Sequence, residues 1–221
     1  MNTRICKNRK FSLISTVIFF AASAANAASS SSLFREFILQ KQKEESKIKT
    51  VKFSFTQEIN IKLTGQKQKF SGKVYYLKPN KIRIDYDEPL LQNILLQKNT
   101  IHIYNRKSDE LFSININDWD KMELFPKEMF AFTENYKNLE KKYIVDISTN
   151  EIYTIVALTP KVNKTISFKL YFLKESLLPT KLELHSKTFY SVLISADIEY
   201  NSISDFSIFE KDKLSISPKM E

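Results

Sequence analysis

The sequence predicts a mainly β protein with some α: about eleven strands in one antiparallel sheet, wrapped toward a barrel, with helices over its mouth or inside it. Three observations carry this. Apolar residues recur at every second position in successive short segments, the signature of strands with one dry and one wet face. The turns between those segments are too short for crossover helices, so neighbouring strands run antiparallel. Only two zones of the chain have helical character, too few to cover both faces of so large a sheet.

The first element precedes the sheet. Arg4, Lys7, Arg9 and Lys10 stand before an apolar stretch from Phe11 to Ala22, and Ala25-Asn26-Ala27 supplies a small-x-small cleavage site. Residues 1–27 are therefore expected to be a signal peptide, cleaved after Ala27, with residues 28–221 as a single domain. The apolar stretch is well short of the roughly 20 residues that cross a bilayer. Removing the four basic residues lowers the net charge from +9 to +5, too mild a bias to point to nucleic acid. The one cysteine, Cys6, leaves with the segment, so the exported domain must rely on its core rather than on disulfides.

Ala28 to Ser32 reads as a small polar linker. Leu33 to Lys49 contains strong helix formers without Gly or Pro, and Leu33, Phe34, Phe37 and Ile38 cluster on one side of an expected helix, whose Lys/Glu-rich second half reads as solvated. The period then changes to two. Val51, Phe53, Phe55, Ile59, Ile61 and Leu63 alternate with polar residues, and Gln57 alone interrupts the apolar face. Shorter alternating runs fall near 70–78, 81–87, 91–97, 100–105 and 110–116, separated by Pro79-Asn80, Pro89 and Lys98-Asn99.

A second helical zone is expected between Asp118 and about Lys142. Asp118 can cap a short helix, and Pro126 can open another with Met129, Phe130, Phe132 and Tyr136 on its apolar side. Strands resume near 143–148, 151–158, 164–173, 180–186 and 188–200. The tail from Asn201 is less regular, with Phe206, Ile208 and Phe209 as candidate anchors.

Composition excludes several chemistries. Two glycines in the whole chain cannot build the Gly-rich phosphate cradles of nucleotide-binding folds. With no cysteine after the signal segment and only His102 and His185, a zinc site is not expected, nor is any other cofactor. Each histidine reads as a strand residue with no glycine-marked nucleophile elbow nearby. The acidic groups Asp85, Asp87, Glu88 and Asp118, Asp120, Glu123 lack the glycine that tightens a calcium loop and read as solvated turns. No enzyme activity is expected.

Several segments together carry a resemblance. An N-terminal helix is followed by KFSFTQEI with Phe55-Thr56-Gln57, then by GKVYYLKPNKIRIDYDEP, in which Gly72, Lys78, Pro79, Arg83, Tyr86 and Pro89 fall in order. A hairpin through Asn99 to Tyr104, the helix-opening Pro126 and Leu158-Thr159-Pro160-Lys161 complete the order. In this order the chain resembles the LolA family of periplasmic lipoprotein carriers from Gram-negative bacteria, over roughly Leu33 to Leu184. Departures are Lys78 where the family's basic residue before proline is usually arginine, Ile84 in place of a tryptophan, Asn99 in place of the hairpin glycine, and a C-terminal end without the usual Pro-Gly pattern.

The resemblance implies an incomplete, unclosed barrel with helices as a lid over an apolar cavity for acyl chains. Lys78 and Arg83 are then the expected lid latch. The cavity candidates are Val51, Phe53, Phe55, Ile59, Ile61, Val74, Tyr76, Ile82, Ile84, Tyr86, Met129, Phe130 and Phe132. The implied role is that of a monomeric periplasmic chaperone. It would take acylated lipoproteins from an inner-membrane ABC transporter to an outer-membrane acceptor, with no nucleic acid as partner. A LolA-like carrier or sensor of another lipid or glycolipid is the alternative.

Overall fold

The computed structural model describes residues 21–116, 136–162 and 166–216. Helix α1 spans Ala21–Glu45. The expected linker at Ala28–Ser32 is thus helical, because the alanine-rich run before Leu33 has high helix propensity and contains no Gly or Pro to stop it. The helix also ends four residues before Lys49. Lys47 and Ile48 donate to the carbonyls of Glu44 and Glu45 at 3.3 and 2.9 Å, tightening the last turn so that the chain can swing into the sheet.

Phe34, Ile38, Lys41 and Glu45 recur at intervals of four, three and four residues and form the buried stripe of α1. Leu33, expected on that side, is exposed. The second half of the helix is likewise not wholly solvated, since the stripe continues through Lys41 and Glu45.

Eleven strands follow: β1 Thr50–Ile61, β2 Lys67–Leu77, β3 Lys81–Tyr86, β4 Gln92–Gln97, β5 Thr100–Asn105, β6 Glu110–Asn115, β7 Tyr143–Thr149, β8 Tyr153–Pro160, β9 Ile166–Leu173, β10 Lys181–Ser186 and β11 Phe189–Tyr200. A short helix, α2 (Tyr136–Lys142), leads into β7. All eleven join one antiparallel sheet in the order β6-β5-β4-β3-β2-β1-β11-β10-β9-β8-β7. Two meanders meet at the long β1 and β11, and the outer strands β6 and β7 do not pair with each other, so the barrel is unclosed. The expected helices at Asp118 and Pro126, with Met129, Phe130 and Phe132, lie outside the described residues, as does most of the expected signal segment.

Alternation sorts the residues as the period-two pattern requires. Val51, Phe53, Phe55, Val74, Tyr76, Ile82, Ile84, Tyr86, Ile94 and Ile103 in the first meander, with Val156, Phe168, Leu170, Phe172, Leu182 and Leu193 in the second, form one inner cluster with Phe34 and Ile38 of α1. Gln57, the polar interruption, is buried and donates to Ser191 Oγ at 3.1 Å, so the inner face keeps its polarity satisfied there.

The Phe55-Gly72 cross-strand pair shows why a glycine stands in β2. A Cβ on Gly72 would lie 2.2 Å from the carbonyl oxygen of Asp85 and 3.0 Å from the Phe55 ring. Backbone of β3 therefore fills the space. Gly72→Ala should force β2 and β3 apart and cost about 1–3 kcal/mol, measurable as a lower urea midpoint; an unchanged midpoint would contradict this close approach.

The tail does what alternation could not reveal. After β11 it passes over the outer face of β2–β4 through two short 3-10 turns, Phe206–Phe209 and Lys211–Lys213. There Ile208, Phe209 and Leu214 bury Tyr75 and Leu95 in a second, smaller core. Of the expected anchors, Ile208 and Phe209 are buried, while Phe206 is exposed. β3 and β4 are consequently buried on both faces.

Candidate functional site

The inner face of the sheet with α1 laid on it is the candidate site. Val51, Phe53, Phe55, Val74, Tyr76, Ile82, Ile84 and Tyr86 are buried members of its apolar cluster. Ile59 packs against the cluster half-buried, and Ile61 is half-buried at the end of β1, outside it. Phe55 meets Tyr86 edge-on at 5.3 Å between ring centroids. Burial pushes the Tyr86 hydroxyl well above its usual pKa, as expected for a phenol in apolar surroundings.

Beyond the packing of Phe34 and Ile38, several side-chain contacts hold α1, among them an Arg35–Glu140 ion pair at 3.7 Å to α2. Phe37 packs edge-on against Phe172 of β9 at 5.1 Å. Lys41 donates from Nζ to the carbonyl oxygen of Ser176, in the β9–β10 loop, at 2.7 Å. From the other half of the sheet, Lys78 donates to the carbonyl oxygen of Glu45 at 2.8 Å, and its ammonium lies 3.0 Å from the Glu45 carboxylate. Lys78 thus sits on the last carbonyl of the helix, where the negative end of the helix dipole also favours a cation. The backbone N–H of Lys78 donates to the carbonyl of Lys49 at 3.0 Å, which fixes the position of its stem. Between these groups lies a gap of about 10 Å³ lined by Lys41, Glu45, Tyr76, Lys78, Leu178 and Tyr200, room for a water molecule and no more.

Arg83, the other expected latch residue, is elsewhere. It lies on the outer face, fully buried, and donates to the carbonyls of Ile208 at 3.0 Å, Lys213 at 3.1 Å and Ile216, while its Nε pairs with Asp85 at 2.8 Å. Standing between the inward-facing Ile82 and Ile84 in β3, it points to the opposite side of the sheet, so it holds the tail and not α1. Asn93 and Gln97 add bonds to the carbonyls of Leu214 and Phe209 at 2.7 and 3.3 Å. Burial raises the pKa of Asp85 despite the pull of Arg83.

Asp85 is therefore not a solvated turn residue, whereas Asp87 and Glu88 are exposed. His102 shares a 2.7 Å contact with Ser113 across β5 and β6. Burial and nearby Lys211 lower its pKa, which weakens it as a base. His185 lies 3.4 Å from Glu183 and stacks obliquely on Tyr190 at 4.7 Å. Among the described residues, no group of three or more His, Cys, Asp or Glu could hold a metal ion.

Sequence reasoning missed Lys41 and Glu45 as members of the site. The 34-38-41-45 spacing was the available signal, and the charge of the two residues concealed it.

The family model described as outer membrane lipoprotein carrier protein LolA matches residues 46–213. No curated protein matches the chain. Among solved structures, an uncharacterized conserved protein from Thermus thermophilus is similar at a TM-score of 0.50 and 10% identity, over 84% of this chain and 94% of that one. A LolA superfamily protein from Nitrosomonas europaea has a TM-score of 0.48 and 12% identity, over 81% and 98%. A putative outer membrane lipoprotein-sorting protein domain from Vibrio parahaemolyticus has 0.47 and 12%, over 86% and 100%.

Proposed function

The chain belongs to the LolA family of outer membrane lipoprotein carrier proteins, and from that premise we propose that it is a periplasmic carrier. It binds the acyl chains of lipoproteins released by an inner-membrane ABC transporter and delivers them to an outer-membrane acceptor. The observation that carries this reading is an apolar inner face covered by a helix that polar contacts fasten at its C-terminal end. The signal segment would direct export across the inner membrane and be cleaved after Ala27, and the carrier would work as a monomer without cofactor or covalent chemistry.

The physics requires such a container. Each buried CH₂ is worth about 0.8 kcal/mol, so a chain of about 16 carbons gains roughly 12 kcal/mol by leaving water. A cargo with several chains cannot cross an aqueous compartment alone. Release, however, demands that the loaded state be no more stable than the next site, and a closed empty state with its own polar contacts supplies that balance.

Lys78 is the proposed latch of that empty state. Lys78→Leu should load normally but transfer cargo about tenfold more slowly, because a hydrogen bond to a charged group is worth about 1.5–3 kcal/mol. Lys78→Arg should transfer at least as well as the parent. Equal transfer by the leucine variant would reduce Lys78 to a helix cap. A lipid or glycolipid other than a lipoprotein could use the same interior, and the lysine standing in the usual arginine position favours keeping that cargo as the second reading.

A further inference from the structure

Lys41 is difficult to explain as mere helix surface. It is buried on α1, its ammonium bonded to the Ser176 carbonyl and 5.6 Å from the centre of the Phe37 ring. The acceptor is held in place, since the Ser176 N–H donates to the Leu173 carbonyl at 3.0 Å and its Oγ donates to the Leu178 carbonyl at 2.6 Å. Burial lowers the pKa of Lys41, although Glu44 opposes the shift. A buried charge is costly to desolvate, and an apolar residue of similar volume is often as good or better for stability. A helix fixed for good would be served better by methionine at this position.

A helix that must lift away is a different matter. On leaving the sheet, an ammonium regains its hydration, which offsets part of the apolar area exposed by Phe34 and Ile38. We propose that Lys41 is a positioning residue of the α1 lid, seating it against the β9–β10 loop opposite Lys78 while the cost of burying its charge keeps the helix detachable. The two lysines act with opposite sign. Lys78 stabilises the closed state from the β2 side, whereas the burial cost at Lys41 limits how firmly that state closes. This inference rests on the carrier reading for its purpose, though not for its mechanics.

Amide exchange of residues 33–45 in the cargo-free protein tests the mechanics, and uptake of a synthetic triacylated lipopeptide from detergent tests the purpose. Lys41→Met should slow exchange about tenfold, since the closed helix no longer buries a charge, and slow uptake to a similar degree. Its melting temperature should not fall. Lys41→Arg retains the charge and should stay closer to the parent in both readouts. Unchanged or faster exchange in the methionine variant, or a lower melting temperature, would overturn the proposal and make the Ser176 contact an ordinary structural bond. Slower exchange in the methionine variant, with no lipopeptide uptake by parent or variant, would leave the detachable helix standing while removing the carrier reading.

Discussion

Arg83→Met should lose about 3–5 kcal/mol of unfolding free energy, the range for breaking a buried ion pair from one side. The guanidinium is fully buried and serves three tail carbonyls and the Asp85 carboxylate. A methionine fills much of the volume and donates to none of them, so the carboxylate and the carbonyls lose this donor, and among the described residues only the Lys213 carbonyl keeps another, from the Ile216 N–H, at 3.1 Å. Urea unfolding reads the loss directly. Limited proteolysis should show cleavage between Ile203 and Leu214 before the sheet is attacked, since the second core is held to β3 and β4 by Arg83, Asn93 and Gln97. Because Arg83 faces away from α1, the surviving folded fraction should still load lipopeptide. Intact tail protection and full stability in this variant would contradict the assignment.

Phe55→Glu should lose a comparable amount and, where folded, should fail to load cargo. Phe55 is buried at the centre of the inner face, over Gly72 and against Tyr86. Removing a large buried ring costs about 3–5 kcal/mol, and a carboxyl group left in its place is driven toward its neutral form by lack of solvent. Phe55→Leu supplies the control, since it keeps the face apolar and should retain both fold and loading. Circular dichroism separates misfolding from lost binding. A folded glutamate variant that loads as well as the parent would show that this part of the sheet does not line the acyl-chain site.

The strands were legible because alternation is local. In β1, Val51, Phe53 and Phe55 point inward and Ser54 and Thr56 outward whatever lies beyond, and the turn residues Pro79-Asn80 and Lys98-Asn99 fall where strands stop. The family resemblance rested on the same local order and matches the family model. What remained hidden was long-range. Arg83 stands between Ile82 and Ile84 at a position that alternation marks as wet, and the tail that covers it arrives 125 residues later. Lys41 and Glu45 were hidden for a related reason: composition reports charge, whereas burial depends on the carbonyl or ammonium that meets the charge after folding. The start of α1 was misread because an Ala/Ser run suits both a linker and a helix.

Native mass spectrometry of the protein, recovered from a periplasmic extract without detergent, reads its cargo. The expected result is a polypeptide beginning at Ala28, part of it in one-to-one complexes with acylated lipoproteins, and fewer of these when the folded Phe55→Glu variant replaces the parent. A population carrying only free phospholipid or glycolipid, or complexes whose partners lack acyl chains, would contradict it.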